Sequence, residues 1–315
     1  MTSGQDDQAE FDSETTVSAL AQAIHDNGFE VVRLEATPEL PARLGEVDLV
    51  FNIAEGVKGR YRESQIPALL ELLGVEFTGS EAGSLAVCHD KGLAKKIVRQ
   101  AGVPTADFVV VDSEKEVRKL HLRFPLIVKP VAEGSSKGVA GRSVVRDENA
   151  LREVVRDITE RYRQPALVEE FLMGREFTVG LLGQQKLKLL PIMEIVFQDD
   201  TDLPIYSFEH KLSDAPPLRF DAPASLHPAL RRELETAAKT SFRALGCRDV
   251  ARIDFRLNSN GVANFIECNP LPGLSPEFSD LCVLAKAAGI NYRELVGQIL
   301  TPAVKRFRMR RKMKA

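Results

Sequence analysis

The sequence RIDFRLNSNGVANFIECN, residues 252–269, decides the fold of this chain. Polar and apolar side chains alternate at its two ends, with the period of two that is typical of half-buried β-strands. The intervening residues 258–261, NSNG, are a turn sequence, because asparagine, serine and glycine all favour tight reversals of the backbone. We therefore predict a β-hairpin in which Leu257 lies opposite Val262.

The predicted register places the polar residues of this hairpin on one face. It puts Arg252 opposite Glu267. It puts Asp254 opposite Phe265, so that the two carboxylates are diagonal neighbours at roughly 7 Å. Asn269 lies on the same face, two residues further along the strand. The opposite face is apolar and consists of Ile253, Phe255, Leu257 and Ile266.

The polar face of the hairpin carries the ligands of a hard metal ion. Asp254, Glu267 and Asn269 offer two carboxylates and an amide oxygen, which are suitable donors for Mg²⁺ carrying a nucleotide phosphate. The alternative is a surface strand pair with an Arg252–Glu267 salt bridge. The sequence PLPG, residues 270–273, favours binding, because two prolines and a glycine at a strand end indicate a backbone shaped around a ligand.

A lysine interrupts the apolar strand pattern of residues 124–130, FPLIVKP. A buried strand tolerates Lys129 poorly unless its amine meets an anion. The following loop, residues 133–139, EGSSKGV, is rich in glycine and serine, and its backbone N–H groups can bind phosphate. Its spacing matches neither GxxxxGK[ST] nor GxGxxG, which excludes a Walker loop and a dinucleotide fingerprint. An ordinary glycine turn is the alternative interpretation.

Residues 168–179, VEEFLMGREFTV, have the pattern of a strand, a tight turn and a second strand. Glu169 and Glu176 stand on either side of the turn. Their carboxylates can accept hydrogen bonds from a ribose or from an adenine amino group. The alternative is that both are solvent-facing strand residues.

The length and charge of the chain exclude several classes of protein. Its 315 residues are more than one core usually holds, which indicates two or three packed domains. The net charge of -3 argues against nucleic-acid binding, and no apolar run reaches the ~20 residues that span a bilayer. The basic residues 305–314 are interpreted as a solvated helix end, with contact to phosphate or to a membrane surface as the alternative.

Cysteine usage and the N-terminus indicate the compartment. The first residues, 1–14, are acidic and polar and lack the pattern of a signal peptide. The cysteines are scattered, without a CxxC or a paired spacing, at Cys88, Cys247, Cys268 and Cys282. This distribution argues for a reducing compartment and against a disulfide framework or a zinc site. We therefore expect a cytoplasmic protein.

Strand and helix patterns alternate along the chain. Helices are predicted at 16–27, 63–73, 90–101, 114–122, 148–161, 228–245 and 292–305. Strands are predicted at 30–34, 48–53, 108–111, 126–130, 166–171, 176–182 and 191–196. The alternation in the first ~80 residues indicates a parallel sheet. We predict three domains, 1–85, 86–180 and 181–315, with a cleft between the second and the third.

These segments, in this order, resemble the ATP-grasp superfamily and, most closely, the D-alanine–D-alanine ligase family. The matching stretches are residues 90–91, 124–139, 167–183, 208–211 and 249–273. The resemblance covers most of the chain from about residue 48 onward. It implies an α/β (α+β) protein with the ATP-grasp fold, in which an N-terminal parallel α/β domain precedes two α+β subdomains that enclose an ATP cleft.

The resemblance implies an ATP-dependent ligase. In that family, the carboxylate of one amino acid attacks the γ-phosphate of ATP and forms an acyl phosphate. The amine of a second amino acid then displaces phosphate, which yields a dipeptide for peptidoglycan biosynthesis. The implied cofactors are ATP and two Mg²⁺ ions, with Mn²⁺ as the alternative ion. The implied partners are small amino acids, bound by a homodimer that binds neither nucleic acid nor membrane.

The resemblance also implies roles for individual residues. Nucleotide binding falls to Lys91, Lys129, Glu133, Ser135, Ser136, Glu169, Glu170, Glu176 and Lys211. The implied metal ligands are Asp254, Glu267 and Asn269. The implied catalytic residues are Arg252, Gly273 through its backbone N–H, Ser135 and Glu10. The residues implied to surround the amino-acid substrates are Glu55, Arg60 and Ser279.

Several positions depart from the family pattern. Leu212 stands where the family has a tyrosine, Glu55 and Arg60 change the charge around the first amino acid, and Ser279 lies one residue late for the second carboxylate. These departures leave two alternatives open: a sibling ligase for other amino acids, either L- or non-proteinogenic, and a nucleotide-binding protein without ligase activity. The complete metal trio argues against the second, because oxygen ligands held together without a cation repel one another.

Overall fold

Two antiparallel sheets and a short parallel pair of strands form the framework of the protein. They are seen in a computed structural model that describes residues 12–56, 58–134, 143–198, 205 and 218–314. The α-helices in these ranges are α1 (Glu14–Asp26), α2 (Leu40–Arg43), α3 (Gln65–Leu73), α4 (Ala82–His89), α5 (Lys91–Gln100), α6 (Glu148–Tyr162), α7 (Pro228–Ala244), α8 (Asp280–Ala287) and α9 (Tyr292–Lys314). None of them combines the length and the apolar character needed to cross a membrane.

The strands in the same ranges are β1 (Leu49–Val50), β2 (Glu76–Phe77), β3 (Phe108–Val111), β4 (Leu126–Pro130), β5 (Val144–Val145), β6 (Ala166–Glu170), β7 (Glu176–Gly183), β8 (Lys188–Leu189), β9 (Met193–Phe197), β10 (Leu218–Asp221), β11 (Asp249–Leu257) and β12 (Ala263–Asn269). Short 3₁₀ helices cover Leu44–Glu46, Arg62–Ser64 and Glu114–Lys119.

The N-terminal region contains less strand structure than its sequence predicts. β1 and β2 pair in parallel, with Leu49 opposite Glu76, so the parallel sheet is a single short pair in the described ranges. The predicted strand at 30–34 is wrong, because these residues have no strand partner among those the structure describes. α1 packs against α9 instead, where Leu20 and Leu295 belong to one apolar cluster. The C-terminal helix therefore supports α1, whereas the rest of the N-terminal region has its own apolar cluster around Leu70 and Phe77.

The four-stranded sheet has the order β3-β6-β4-β5 and is covered by α6. β3 and β4 begin and end at the predicted residues. Val128 of β4 and Val155 of α6 are fully buried in the core between the sheet and the helix. Asp147 begins α6, because its side chain accepts a hydrogen bond from a backbone N–H of the first turn. The helix predicted at 114–122 is a shorter 3₁₀ helix, Glu114–Lys119.

The six-stranded sheet has the order β10-β9-β7-β11-β12, with β8 paired to β7. Helices cover both of its faces. α4, α5 and α7 pack on one face around Phe177 and Phe255. α1, α8 and α9 pack on the other face around Leu182 and Val250. The predicted domain boundary at 180/181 falls inside β7, which pairs with β11 along its whole length and so belongs to this sheet.

The hairpin of β11 and β12 forms, but its predicted register is wrong. Leu257 pairs with Ala263, one residue further than predicted, because the connecting loop is longer. A β-bulge in β12 then leaves Ile266 without a partner in β11. Beyond the bulge, Asp254 lies directly opposite Glu267 and not diagonally. The bulge also turns Ile266 toward the polar side of the hairpin, where the alternation predicted an apolar face.

The C-terminal helix α9 is longer than predicted and is tied to the sheets by Arg306. The helix continues to Lys314, and the side chain of Arg306 is 17% exposed. Its guanidinium lies 2.7 Å from each carboxylate oxygen of Asp249 and 2.8 Å from an oxygen of Glu76. Both carboxylates are buried. The interpretation of residues 305–314 as a solvated helix end is therefore wrong at Arg306, which joins α9 to β2 and β11.

Candidate functional site

A cleft between the two antiparallel sheets is lined largely by charged residues. On the side of the four-stranded sheet lie Ile127, Lys129, Pro130, Glu133, Glu169, Glu170, Phe171 and Leu172. On the side of the six-stranded sheet lie Glu176, Thr178, Ile195, Arg252, Asp254, Arg256, Ile266 and Glu267. The remaining lining residues in the described ranges are Lys91, Ile205 and Asp280. Most of the side chains that the sequence predicted for nucleotide and metal binding therefore meet in one place.

Two carboxylates lie opposite each other across the hairpin. Asp254 and Glu267 are direct partners in the strand register. The Asn269 amide lies 3.4 Å from one carboxylate oxygen of each. The hydroxyl of Thr178, on the neighbouring strand β7, donates a hydrogen bond to Oδ1 of Asp254 at 2.9 Å and so orients that carboxylate. The three predicted metal ligands thus converge on the same side of the hairpin.

The electrostatics of this group favour a cation. Burial is the main reason that the pKa of Asp254 is raised to about 6. The attraction of Arg252 opposes this rise, and repulsion from Glu267 and Asp280 adds to it. Burial opposes the charge of Glu267 as well, but the positive charges of Lys91 and its cationic neighbours outweigh burial and lower the pKa of Glu267 well below its usual range. A divalent cation would relieve this crowding, and two carboxylates with an amide are a donor set that fits Mg²⁺.

Arg252 lies among three carboxylates. Its guanidinium is 2.8 Å from Asp280, 2.9 Å from Asp254 and 3.8 Å from Glu267. Burial alone would lower the pKa of Arg252, but these carboxylates raise it above its usual value, so the group stays cationic. Its Nε is buried and has no hydrogen-bond partner in the described part of the chain. One N–H donor of Arg252 is therefore left for a ligand.

Lys129 is held by a buried cluster of charges. Glu169 accepts from Lys129 through Oε1 at 2.5 Å and from Lys95 through Oε2 at 2.7 Å. Lys95 also donates to the hydroxyl of Thr105 at 2.8 Å. Burial would raise the pKa of Glu169, but the two lysine charges outweigh it and lower that pKa to about 2. Burial lowers the pKa of Lys95 to about 8, whereas the nearby carboxylates overcome burial at Lys129 and raise its pKa.

The predicted glutamates are not solvent-facing, and that interpretation is wrong. Glu169 is 4% exposed and Glu176 is 8% exposed. Glu176 lies 3.2 Å from the guanidinium of Arg256, and burial raises the pKa of Glu176. Glu170 lies 3.0 Å from Arg123, whose hydrogen bond lowers the pKa of Glu170. Because Glu169 is engaged by two lysines, its direct effect is to position Lys129.

Lys91 links the end of β4 to the hairpin. Its Nζ donates to the backbone oxygen of Glu133 and lies 3.3 Å from Oε2 of Glu267. The Glu133 carboxylate lies 3.2 Å from Arg62 and accepts from the amide of Gln164 at 2.7 Å. A cation at the start of α5 therefore stands directly beside the paired carboxylates.

The residues predicted around the amino acids lie beside the cleft lining. Arg60 forms an ion pair with Asp90, which begins α5 and precedes Lys91. Ser279 precedes α8, and its hydroxyl accepts from the backbone N–H of Ser275 at 2.9 Å. A side chain at Gly273 would meet that hydroxyl, since an added Cβ would lie 2.9 Å from it. The glycine therefore allows the backbone and Ser279 to approach each other closely.

Some predicted site residues fall outside the described residues. These are Glu10, Ser135, Ser136 and Lys211, and the departure at Leu212 lies there too. Glu55 is described and is half-buried in the segment that follows β1. The roles that the sequence implied for these residues stay predictions.

The sequence prediction missed several residues of the cleft region, among them Thr178, Lys95 and Asp280. Thr178 stands two residues after Glu176 on the same face of β7. This period of two is visible in the sequence and could have identified Thr178. Lys95 stands four residues after Lys91, on the same side of α5, which is a weaker signal of the same kind. Asp280 gave no signal, because its contact with Arg252 is created by the packing of α8 on the sheet.

We expect the charges around Glu169 to make stability depend on pH. The pKa of Glu169 is about 2 in the folded chain, below its ordinary value of 4.5. The ionised carboxylate of Glu169 therefore contributes its full share to the free energy of unfolding above pH 4.5. This stabilisation is lost as pH falls from 4.5 toward 2. Glu169→Gln should therefore lower the free energy of unfolding by about 2 kcal/mol at pH 7. Urea unfolding of both proteins at pH 7 and at pH 4 should show a smaller difference at pH 4.

Glu170→Gln is the matched control for this measurement. Glu170 lies on the same strand, and its partner Arg123 is exposed, so this change should cost about 0.5 kcal/mol or less. The assignment would be contradicted if Glu169→Gln lowered the free energy of unfolding equally at the two pH values, or by no more than Glu170→Gln does.

Known proteins are similar to this chain over nearly its whole length. Residues 97–301 match the family model described as D-ala D-ala ligase C-terminus. The D-alanine–D-alanine ligase of Aquifex aeolicus (strain VF5) is 34% identical over 290 residues, which are 91% of this chain and 94% of that protein. An uncharacterized protein of Sinorhizobium fredii is 37% identical over 259 residues, which are 82% of this chain and 75% of that protein.

Solved structures share the architecture. The D-alanine–D-alanine ligase from Bacillus anthracis in complex with ATP has a TM-score of 0.74 to this chain, covers 95% of it and 97% of its own length, and is 24% identical, which shows the fold alone. The VanG D-Ala:D-Ser ligase from Enterococcus faecalis has a TM-score of 0.67, with 82% of this chain and 73% of its own covered, at 25% identity. The α/β (α+β) ATP-grasp fold predicted from the sequence is confirmed.

Proposed function

The chain belongs to the D-alanine–D-alanine ligase family and is an ATP-dependent ligase, and from that premise we propose that it joins two D-amino acids, D-alanine by default, through an acyl phosphate. The observation that carries the proposal is the directly opposed pair Asp254 and Glu267, with Arg252 beside them, on one side of a cleft that also contains Lys91 and Lys129. Ligases of this class serve peptidoglycan biosynthesis.

The lysines are proposed to bind the phosphates of ATP. Lys91 and Lys129 are both buried and cationic, and each is held beside a carboxylate, Lys91 at Glu267 and Lys129 at Glu169. Their positions are therefore set before ATP arrives, which lowers the entropy lost on binding. Phosphoryl transfer needs positioning and neutralised charge more than covalent help. The adenine and ribose are proposed to lie near Glu176, on the six-stranded wall of the same cleft.

Family members depend on a divalent metal together with ATP, and we propose that the metal here is Mg²⁺, two ions in all, with Mn²⁺ able to replace it. Asp254, Glu267 and Asn269 would hold the ions, and Thr178 would orient Asp254. When bound, the metal supplies positive charge between the phosphate oxygens. The crowding that raises the pKa of Asp254 to about 6 supports this assignment.

Arg252 is proposed to stabilise the charge that develops on the reacting carboxyl group. In the first step a carboxylate oxygen of one amino acid bonds to the γ-phosphorus of ATP, and ADP leaves. In the second step the amine of the other amino acid bonds to the acyl carbon, loses a proton, and phosphate leaves. The unsatisfied Nε of Arg252 and the backbone N–H of Gly273 are the donors proposed for the oxyanion.

A second candidate is a ligase for other amino acids, and Asp280 favours it. Its carboxylate lies 2.8 Å from Arg252 and lines the cleft immediately after Ser279. A negative charge there disfavours a purely apolar second substrate and favours one with a hydroxyl or amino group. The proposed contacts of Glu10, Glu55, Arg60 and Ser279 with the amino acids apply to either candidate.

Phosphate release from MgATP tests the proposal. The protein is offered a panel of D- and L-amino acids, singly and in pairs, and the products are identified by mass spectrometry. Stimulation by D-alanine alone, with D-alanyl-D-alanine as the product, supports the first candidate. Stimulation only by pairs that contain a polar acceptor such as D-serine supports the second. No stimulation by any member would contradict both.

We expect Thr178→Val to weaken the metal site without removing a ligand. The change keeps the shape of the side chain and removes only the hydroxyl that bonds Asp254 at 2.9 Å. Loss of such a supporting bond typically lowers metal affinity about 10-fold or more. The Mg²⁺ concentration for half-maximal phosphate release should therefore rise about 10-fold at saturating ATP. Thr178→Ser keeps the hydroxyl and is the control, and an unchanged Mg²⁺ requirement in Thr178→Val would exclude this role.

Location and assembly follow from the same assignment. We propose a cytoplasmic enzyme, because its proposed substrate ATP and its four free cysteines both fit a reducing interior. We propose a homodimer through the N-terminal domain, on the resemblance to the family. Sedimentation equilibrium of the purified chain distinguishes a dimer from a monomer.

A further inference from the structure

Three cysteines that are scattered in the sequence meet in the core behind the cleft. Cys88 lies in α4, Cys247 lies between α7 and β11, and Cys268 lies in β12. Sγ of Cys247 is 4.0 Å from Sγ of Cys88 and 3.7 Å from Sγ of Cys268, and all three atoms lie within 4.8 Å of one another. The side chains are buried. The lack of a paired spacing in the sequence argues against a zinc site. The sequence does not reveal this cluster, because the cluster forms only when distant elements pack together.

We propose that Cys88, Cys247 and Cys268 bind one thiophilic divalent metal ion, with Zn²⁺ the expected occupant. Three sulfur atoms at these separations lie on a circle with a radius of about 2 to 2.5 Å, and a Zn–S bond is about 2.3 Å long. An ion near the centre of the triangle therefore reaches all three sulfur atoms without movement of the backbone. A disulfide fits less well, because two sulfur atoms would have to approach from 3.7 Å to about 2.05 Å.

The chemistry of the site balances without an oxidant. Binding replaces three S–H bonds by three S–metal bonds and releases three protons to solvent. Three thiolates and a divalent ion leave one net negative charge in the core. Arg248 directly follows Cys247, but its guanidinium is paired with Glu81 at 2.8 Å and so does not offset this charge directly. Ser80, whose hydroxyl accepts from the backbone N–H of Arg248 at 3.1 Å, next to Cys247, offers an oxygen as a fourth ligand.

The ion acts as a structural link. Through its ligands it joins α4 and the segment before β11 to β12, and so adds to the apolar contacts among them and to the hydrogen bond that Ser84 donates to the backbone oxygen of Gly246. Cys268 stands between Glu267 and Asn269 in β12, and its side chain belongs to the apolar core on the other face of the strand. The site therefore fixes from behind the strand that presents two of the proposed Mg²⁺ ligands. Its burial leaves no route for a substrate, as in other closed structural zinc sites.

Metal titration of the whole chain tests the proposal. Protein treated with a chelator is returned to excess Mg²⁺, which occupies the oxygen ligands of the cleft, and is titrated with Cd²⁺ as a spectroscopic substitute for Zn²⁺. We expect a sulfur-to-Cd²⁺ charge-transfer absorption that saturates at one ion per chain and is reversed by Zn²⁺. Zn²⁺ at about one hundred times its Kd should raise the Tm by about 5 °C.

Variants separate the cluster from other thiols. Cys88→Ser and Cys247→Ser should each lower the affinity for Cd²⁺ at least 10-fold, and far-ultraviolet circular dichroism establishes that they are folded. Cys282→Ser is the matched control, because Cys282 is also buried and lies outside the cluster. It should bind Cd²⁺ as the parent does. No charge-transfer absorption in the parent, or an absorption that survives in both cluster variants, would overturn the proposal and leave three thiols that only pack together.

Discussion

Glu267→Gln should lower the rate of dipeptide formation at least ~10²-fold, because the change removes one of the two charges that we propose to hold the metal. Glutamine keeps the size of the side chain and its hydrogen bond to Asn269, so the effect isolates the charge. In the folded chain, Lys91 and its cationic neighbours keep Glu267 ionised, and its carboxylate faces Asp254 directly. The rate is measured as coupled ADP release at saturating ATP and amino acid.

The matched control for this change is Glu277→Gln. It makes the same change of charge ten positions along the chain, at an exposed residue that does not line the cleft. Its rate should stay within about 2-fold of the parent, since isolated surface charges contribute little. A rate for Glu267→Gln that is equally close to the parent would remove Glu267 from the metal site.

Arg306→Met should lower the free energy of unfolding by about 3 to 5 kcal/mol, because it leaves the buried carboxylate of Asp249 without its guanidinium partner and leaves Glu76 with the more distant Arg310, at 3.4 Å. Arg306 bonds both oxygens of Asp249, whose side chain is 0% exposed, and one oxygen of Glu76, whose side chain is 2% exposed. Methionine keeps most of the apolar volume of the arginine stem, so the loss reports the charge. Urea unfolding at neutral pH measures the difference.

Arg308→Met is the matched control for this second prediction. It lies on the same helix, two positions further on, and is exposed, so it should change the free energy of unfolding by less than about 0.5 kcal/mol. If the two variants are equally stable, Arg306 does not tie α9 to the sheets.

Side-chain alternation was enough to predict the polar face of the hairpin. Arg252 and Asp254 point to one side of β11, because a strand has a period of two. The bulge at Ile266 has no comparable signal, because one extra residue in a strand is specified by tertiary packing and not by composition. The prediction therefore placed these residues on the correct face of the hairpin but had the wrong register between Asp254 and Glu267.

Charges that meet across elements were beyond the reach of the sequence. Glu169 is paired with Lys95 from α5 and with Lys129 from β4, and neither pair has a local spacing that predicts it. The sequence therefore assigned Glu169 to the nucleotide, whereas its contacts in the structure are with two lysines, one of which we propose to bind phosphate. The same holds for Arg306. In the sequence it belongs to a basic tail, and its partners on β2 and β11 are distant in the chain.

Transfer of labelled oxygen tests the central claim, that a carboxylate attacks the γ-phosphate, most directly. The amino acid that stimulates phosphate release is supplied with ¹⁸O in both carboxylate oxygens, and the products are analysed by mass spectrometry. An acyl phosphate predicts one ¹⁸O atom in each phosphate released together with dipeptide, with ADP unlabelled. Phosphate without ¹⁸O would mean that water attacks ATP, and would contradict the account.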